Sequence, residues 1–134
     1  MKKIALYIAL IFSIIAIARQ KTKTAINTFA SVRESVLYKK NAHASYYHDK
    51  FNGRKTASGK RFNNNKFTAA HKKLPFGTIL KITNEANKKF AIVEVIDRGP
   101  YVKRREIDLS KRAFMEIASN KKSGLLSVTI EIVK

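Results

Sequence analysis

Val93-Glu94-Val95-Ile96-Asp97-Arg98-Gly99-Pro100-Tyr101 is the stretch from which the fold can be read. An apolar run leads into an acidic residue, and a turn signal follows at once. Working back from it, residues 78–83 read as a strand, 84–87 as a four-residue turn and 88–96 as a second strand, so the pair is a hairpin. In the second strand Phe90, Ile92 and Glu94 face one way, and Ala91, Val93 and Val95 the other. Both faces are largely apolar, which suits a strand in a small closed barrel.

Working forward, residues 106–110 lead into a helix over 111–119. Ser110 supplies its N-cap, and Ala113, Phe114, Ile117 and Ala118 its buried face. A turn at 121–124 precedes a final strand over 125–133. Towards the N-terminus, 42–47 reads as a short strand and 49–65 as a long loop rich in Gly, Asn, Ser and Lys. Residues 67–71 form an apolar patch ending in His71, and 74–77 a turn. Residues 31–38 carry a weak helical period. Five or six short strands with one short helix make an all-β domain, a small barrel.

The chain has 134 residues, enough for one domain, and no cysteine. That excludes a lipid-bearing cysteine, disulfides and thiolate metal sites. Residues 1–18 have the layout of a secretory signal: a basic start, an apolar run over 4–18 and the small-x-small end Ala16-Ile17-Ala18. The apolar run is shorter than the ~20 residues of a spanning helix. Cleavage after Ala18 and export to the periplasm or the medium is therefore the expectation, with an uncleaved anchor as the competing reading. Residues 19–41 read as a basic linker and 42–134 as the domain. The net charge of +19 speaks of partners and solubility rather than fold. For an exported chain it points to anionic wall polymer or membrane surface, not to nucleic acid.

The three histidines, His43, His48 and His71, lack ligand spacing, so no metal is expected. The glycines are dispersed, so no phosphate loop or other cofactor motif is present. Acid chemistry remains, with Asp49, Glu94, Asp97, Glu106 and Asp108 as candidates. Asp97 has the best backbone setting, at a strand end before a rigid turn, although turn chemistry alone would make it a residue bonding its own backbone. Asp-Leu-Ser at 108–110 reads as capping chemistry. Tyr46, Tyr47 and Phe51 flank the long loop, either stacking on sugar rings or closing one end of the barrel.

Four motifs arrive in order between residues 42 and 134: Ala44-Ser45-Tyr46-Tyr47 with Phe51-Asn52-Gly53-Arg54-Lys55-Thr56-Ala57-Ser58-Gly59; Thr68-Ala69-Ala70-His71 with Leu74-Pro75-Phe76-Gly77-Thr78; Asp97-Arg98-Gly99-Pro100-Tyr101-Val102; and Ile107-Asp108-Leu109-Ser110. Together they resemble the RlpA-like (rare lipoprotein A) family. The resemblance implies a six-stranded double-psi β-barrel with one short α-helix, and a wall protein acting on peptidoglycan glycan strands. The activity it implies is endolytic transglycosylation between N-acetylmuramic acid and N-acetylglucosamine, leaving a 1,6-anhydro end and using no cofactor. The alternative is an expansin-like module that binds glycan and loosens the wall without cleaving it. On the resemblance Asp97 and His71 are catalytic, and Tyr46, Tyr47, Phe51, Thr56 and Arg98 line the substrate groove. The family's catalytic glutamate falls on Lys60, a reversal of charge. A lysine ammonium beside Asp97 would favour its ionised form.

Overall fold

The structure, a computed structural model, describes residues 34–134. The signal-like segment and linker residues 19–33 lie outside the described residues. The expected hairpin consists of β3 (Ile79–Asn84) and β4 (Phe90–Asp97), paired antiparallel. Ala91, Val93 and Val95 are buried, whereas Phe90, Ile92 and Glu94 are exposed or half-buried on the other face. The barrel closes with β1 (Ser35–Tyr46), β2 (Thr68–His71), β5 (Ile107–Leu109) and β6 (Leu126–Val133), in the order β1-β5-β2-β4-β3-β6. Two neighbouring pairs are parallel, β1 with β5 and β2 with β4. Residues 47–67 lead from β1 to β2 and residues 98–106 from β4 to β5; neither pair of strands is adjacent in the barrel, so both segments are loops that cross the sheet instead of tight turns.

The one α-helix among the described residues, α1 (Lys111–Ile117), starts as expected: the Ser110 hydroxyl accepts from the Ala113 N–H. It buries Ala113, Phe114 and Ile117 against a core that includes Leu80, Ile82, Val93, Leu109 and Ile130. Tyr46 stacks on Phe114 with ring centres 4.7 Å apart.

The chief departure from the sequence reading is β1. It begins at Ser35, ahead of the expected boundary at 42, so residues 35–41 belong to the sheet. From Ser35 onward the stretch read as a helix over 31–38 is strand. Its pairing with β6 carries register shifts on both sides of Lys39, and Asn41 takes a left-handed φ of 51°. Such irregularities break the period of two. Residues 36–41 are exposed, so no buried alternation marks them. Backbone pairing holds this segment, aided by Lys39 Nζ on Glu106 at 2.6 Å and Ser35 Oγ donating to Glu131 at 2.8 Å.

Phe114 is fully buried between helix and barrel. Phe114→Ala is expected to lower unfolding free energy by about 3–5 kcal/mol, the usual cost of emptying an aromatic core site. Urea denaturation followed by circular dichroism measures it.

Candidate active site

Strand register brings two acids onto one outer row. Asp97 on β4 pairs with Ala70 on β2, Ala70 with Asp108 on β5, and Asp108 with Ser45 on β1. Side chains on one row share a face, so Asp97 and Asp108 stand two strands apart, about 10 Å between backbones, with only the Ala70 methyl between them. The covering loops turn this row into a groove of about 550 Å³. Tyr47 and Phe51 form one wall, and Arg98, Tyr101 and Arg105 line the opposite loop. Tyr101 is 90% exposed and presents an open ring face on the rim. Gly99, at φ 126°, takes a conformation that side-chain-bearing residues avoid, so the turn after Asp97 needs glycine.

Asp97 is held by three donors. The Tyr47 hydroxyl donates to Oδ2 at 2.7 Å, and the N–H groups of Ala57 and Arg98 donate to Oδ1 at 2.9 Å each. The Arg98 bond is the local turn bond expected of an Asp in this sequence. The bonds from Tyr47 and Ala57 are tertiary. Burial, and then the hydrogen bond to Asp97, push the Tyr47 hydroxyl well above its ordinary range, so it stays a donor at any physiological pH.

Asp108 has different surroundings. Its Oδ1 is buried with no hydrogen-bond partner among the described residues, and its Oδ2 meets Arg105 only at 3.5 Å. Burial pushes its carboxyl above the ordinary value, against the opposing pull of Arg105 and Lys72. The reading of Asp108 as helix-capping is not what the fold uses, because Ser110 makes the cap. Asp108, a candidate acid that the sequence reading gave to capping, and the exposed Tyr101, which it gave no role, both line the groove. The signal for Asp108 lay in its two-residue offset from that cap, which sets it in the strand before the helix.

His71 lies away from the groove. It is 0% exposed, and its row partner is the core residue Ile107. Its Nδ1 accepts from the N–H groups of Lys73 and Leu74 at 3.1 and 3.0 Å, which leaves the proton on Nε2. Nε2 sits 3.2 Å from Glu106 Oε1, within ion-pair distance but at an angle that makes no good hydrogen bond. Burial, outweighing Glu106, pushes the ring below the ordinary histidine value. Its link to the groove is indirect, since Arg98 donates to the carbonyls of Leu74 at 2.9 Å and of His71 at 3.4 Å. Arg98 also stacks 3.9 Å over the Phe76 ring.

Lys60 lies on a hairpin over residues 54–62, closed by the Lys55–Arg61 bridge. Its ammonium turns to Glu94 on β4 at 2.6 Å, so the carboxylate it meets is Glu94 rather than Asp97. The Thr56 hydroxyl donates to the Lys60 carbonyl at 2.7 Å and serves the hairpin, not the groove wall. Asp49 binds Lys111 at 2.9 Å and stays remote from Lys60. Tyr46 reaches the groove but rests on the core.

Comparisons with known proteins bear on the family and the fold. Residues 39–130 match the family described as "Lytic transglycolase" (DPBB_1). The endolytic peptidoglycan transglycosylase RlpA of Pasteurella multocida is 47% identical over 102 residues, covering 76% of this chain and 34% of that protein. The probable endolytic peptidoglycan transglycosylase RlpA of Treponema pallidum is 58% identical over 71 residues, covering 53% of this chain and 22% of that protein. The chain thus spans about a third or less of the length of these curated relatives. Among solved structures, the Streptomyces papain inhibitor is similar with a TM-score of 0.57 at 23% identity, over 73% of this chain and 97% of that one. An expansin of Clavibacter michiganensis gives a TM-score of 0.57 at 19% identity, over 71% of this chain and 50% of that one. At those identities the likeness is one of fold.

Two outcomes test these assignments. The folded-state value of His71 lies below its unfolded 6.5, so between the two the unfolded chain binds more protons and stability rises with pH. Lowering the pH below 6.5 is expected to lower Tm, and His71→Asn to flatten that part of the profile. Lys60→Glu sets two carboxylates face to face. It should destabilise the fold by about 0.5–1 kcal/mol, with recovery in Lys60→Glu/Glu94→Lys, as read from chemical denaturation.

Proposed function

The chain belongs to the lytic transglycolase family of RlpA-like double-psi barrels, and on that premise we propose that it is an exported protein that cleaves peptidoglycan glycan strands by endolytic transglycosylation. The observation that carries the reading is the pair of unlike carboxyl groups in one groove. Asp97 is surrounded by donors and keeps an acceptor position open on Oδ2. Asp108 is starved of partners and held towards its neutral form. Pairs whose surroundings differ in this way divide acid and base roles.

The reaction follows from that division. Asp108 gives its proton to the bridging oxygen as the bond from C1 of N-acetylmuramic acid breaks. Positive charge develops on the ring, as in other glycoside cleavages. The C6 hydroxyl of the same sugar closes onto C1, and its proton passes to Asp97. One proton is delivered and one is taken up, no water is consumed, and the product carries a 1,6-anhydro end. Solvent exchange resets both acids. No third carboxylate is required, which is why Lys60 at the family's glutamate position is compatible with activity. Tyr47 and Phe51 on one side and Tyr101 on the other offer ring faces to sugars. His71 acts from the core, by holding the turn whose carbonyls fix Arg98.

The test incubates the full chain with intact sacculi and with peptide-free glycan strands, and looks for anhydro-sugars by mass spectrometry. Asp97→Asn and Asp108→Asn are each expected to lower product formation by about 100-fold or more, the usual weight of a general acid or base. Because burial raises the acid, activity should persist above the pH at which an ordinary carboxyl ionises and fall as pH rises further. Binding to sacculi with no product from the unmodified chain would sink the enzymatic reading and leave an expansin-like module.

A further inference from the structure

Between the 54–62 hairpin and the outer face of β4 lies a second hollow, of about 440 Å³. It and the groove flank the same turn. The Ala57 N–H reaches Asp97 on the groove side, and the Ser58 N–H binds the carbonyl of Ile96, which lines the second hollow. Its walls carry three cations, Lys60, Arg61 and Lys66, and one acid, Glu94. Glu94 is taken by Lys60. Among the described residues neither Arg61 nor Lys66 has a carboxylate at ion-pair distance. Arg61 is steadied by donating to the Gly53 carbonyl at 3.0 Å. Beneath them the Thr68 hydroxyl, in a residue only 8% exposed, has no hydrogen-bond partner among the described residues. Two cations without counter-charges over a polar atom without a partner are what a carboxylate would complete.

We propose that this hollow is a carboxylate subsite of the glycan groove, taking the lactyl carboxylate of a muramic acid unit one step along the strand from the bond at Asp97. The proposal rests on the glycan reading above. Only alternate sugars of such a strand carry that carboxylate. A subsite that grips it therefore sets which of the two kinds of glycosidic bond lies over Asp97 and Asp108.

Calorimetric titration of the full chain with three oligomers tests this: peptide-free alternating N-acetylglucosamine–N-acetylmuramic acid, the same strand bearing stem peptides, and N-acetylglucosamine alone. The peptide-free alternating strand should bind roughly five-fold more tightly than the N-acetylglucosamine oligomer, as expected for partly exposed ion pairs. Lys66→Gln and Arg61→Gln should each erase most of that preference. Their affinity for the N-acetylglucosamine oligomer should not change, which also reports an intact fold. Tightest binding of the stem-bearing strand, lost in Lys66→Gln, upholds the carboxylate subsite and moves its source to the peptide. Equal affinity for all three oligomers, or a preference untouched by both variants, overturns the subsite and leaves the glycan reading standing. No binding of any oligomer overturns both.

Discussion

The three hydrogen bonds onto Asp97 hold the site together. Tyr47 comes from the end of β1, Ala57 from the turn of the 54–62 hairpin, and Arg98 from the turn after β4. The loop over residues 47–67 is long, and ordering it is costly in backbone entropy. One carboxylate fastens it at two places, with charge-assisted bonds of about 1.5–3 kcal/mol each. The same loop is pinned elsewhere by Asn64. Its side-chain amide donates to the Tyr47 carbonyl and to Asp49, and its oxygen accepts from the Lys111 N–H. The groove wall is therefore fixed by polar bonds at both ends and by the buried Phe62 ring, 4.5 Å from that of Tyr47, between them.

This arrangement explains how one barrel face presents two acids of different character. The row Asp97, Ala70, Asp108, Ser45 follows from the pairing register alone. What separates the acids chemically is the covering. The loop that brings donors to Asp97 brings none to Asp108, which is left with one loose guanidinium and its own burial. A small residue between them keeps the floor open. His71 is set by the same register one residue further along β2, which turns its ring to the opposite side of the sheet from Ala70. It stabilises the His71–Leu74 turn and faces Glu106, and through Glu106 it meets Lys39 on β1. A residue with the chemistry of a catalyst is thus built into the frame.

Lys60 is paired with a carboxylate of the neighbouring strand. Its partner, Glu94, sits on the outer face of β4, within reach of the hairpin. The pair is largely exposed, so its contribution to stability is modest. Its effect is directional: the ammonium is drawn along β4 away from Asp97 and towards the hollow above Thr68. Arg61 and Lys66 also line that hollow, with no carboxylate at ion-pair distance among the described residues.

Local pattern carried much of the fold. The alternation in residues 90–95, the Ser110 cap with the apolar face of α1, and the turn glycines mark their elements because each depends on near neighbours in the chain. The ordered motifs carried the family. The start of β1 was not legible, since residues 35–41 are exposed, irregular in register and held by backbone bonds to β6, none of which leaves a side-chain period. The placing of Asp97 and Asp108 on one row, the burial of His71 and the turning of Lys60 to Glu94 were decided only by tertiary structure. Each depends on which residue of a distant strand falls opposite, and a shift of one residue in a strand exchanges groove for core.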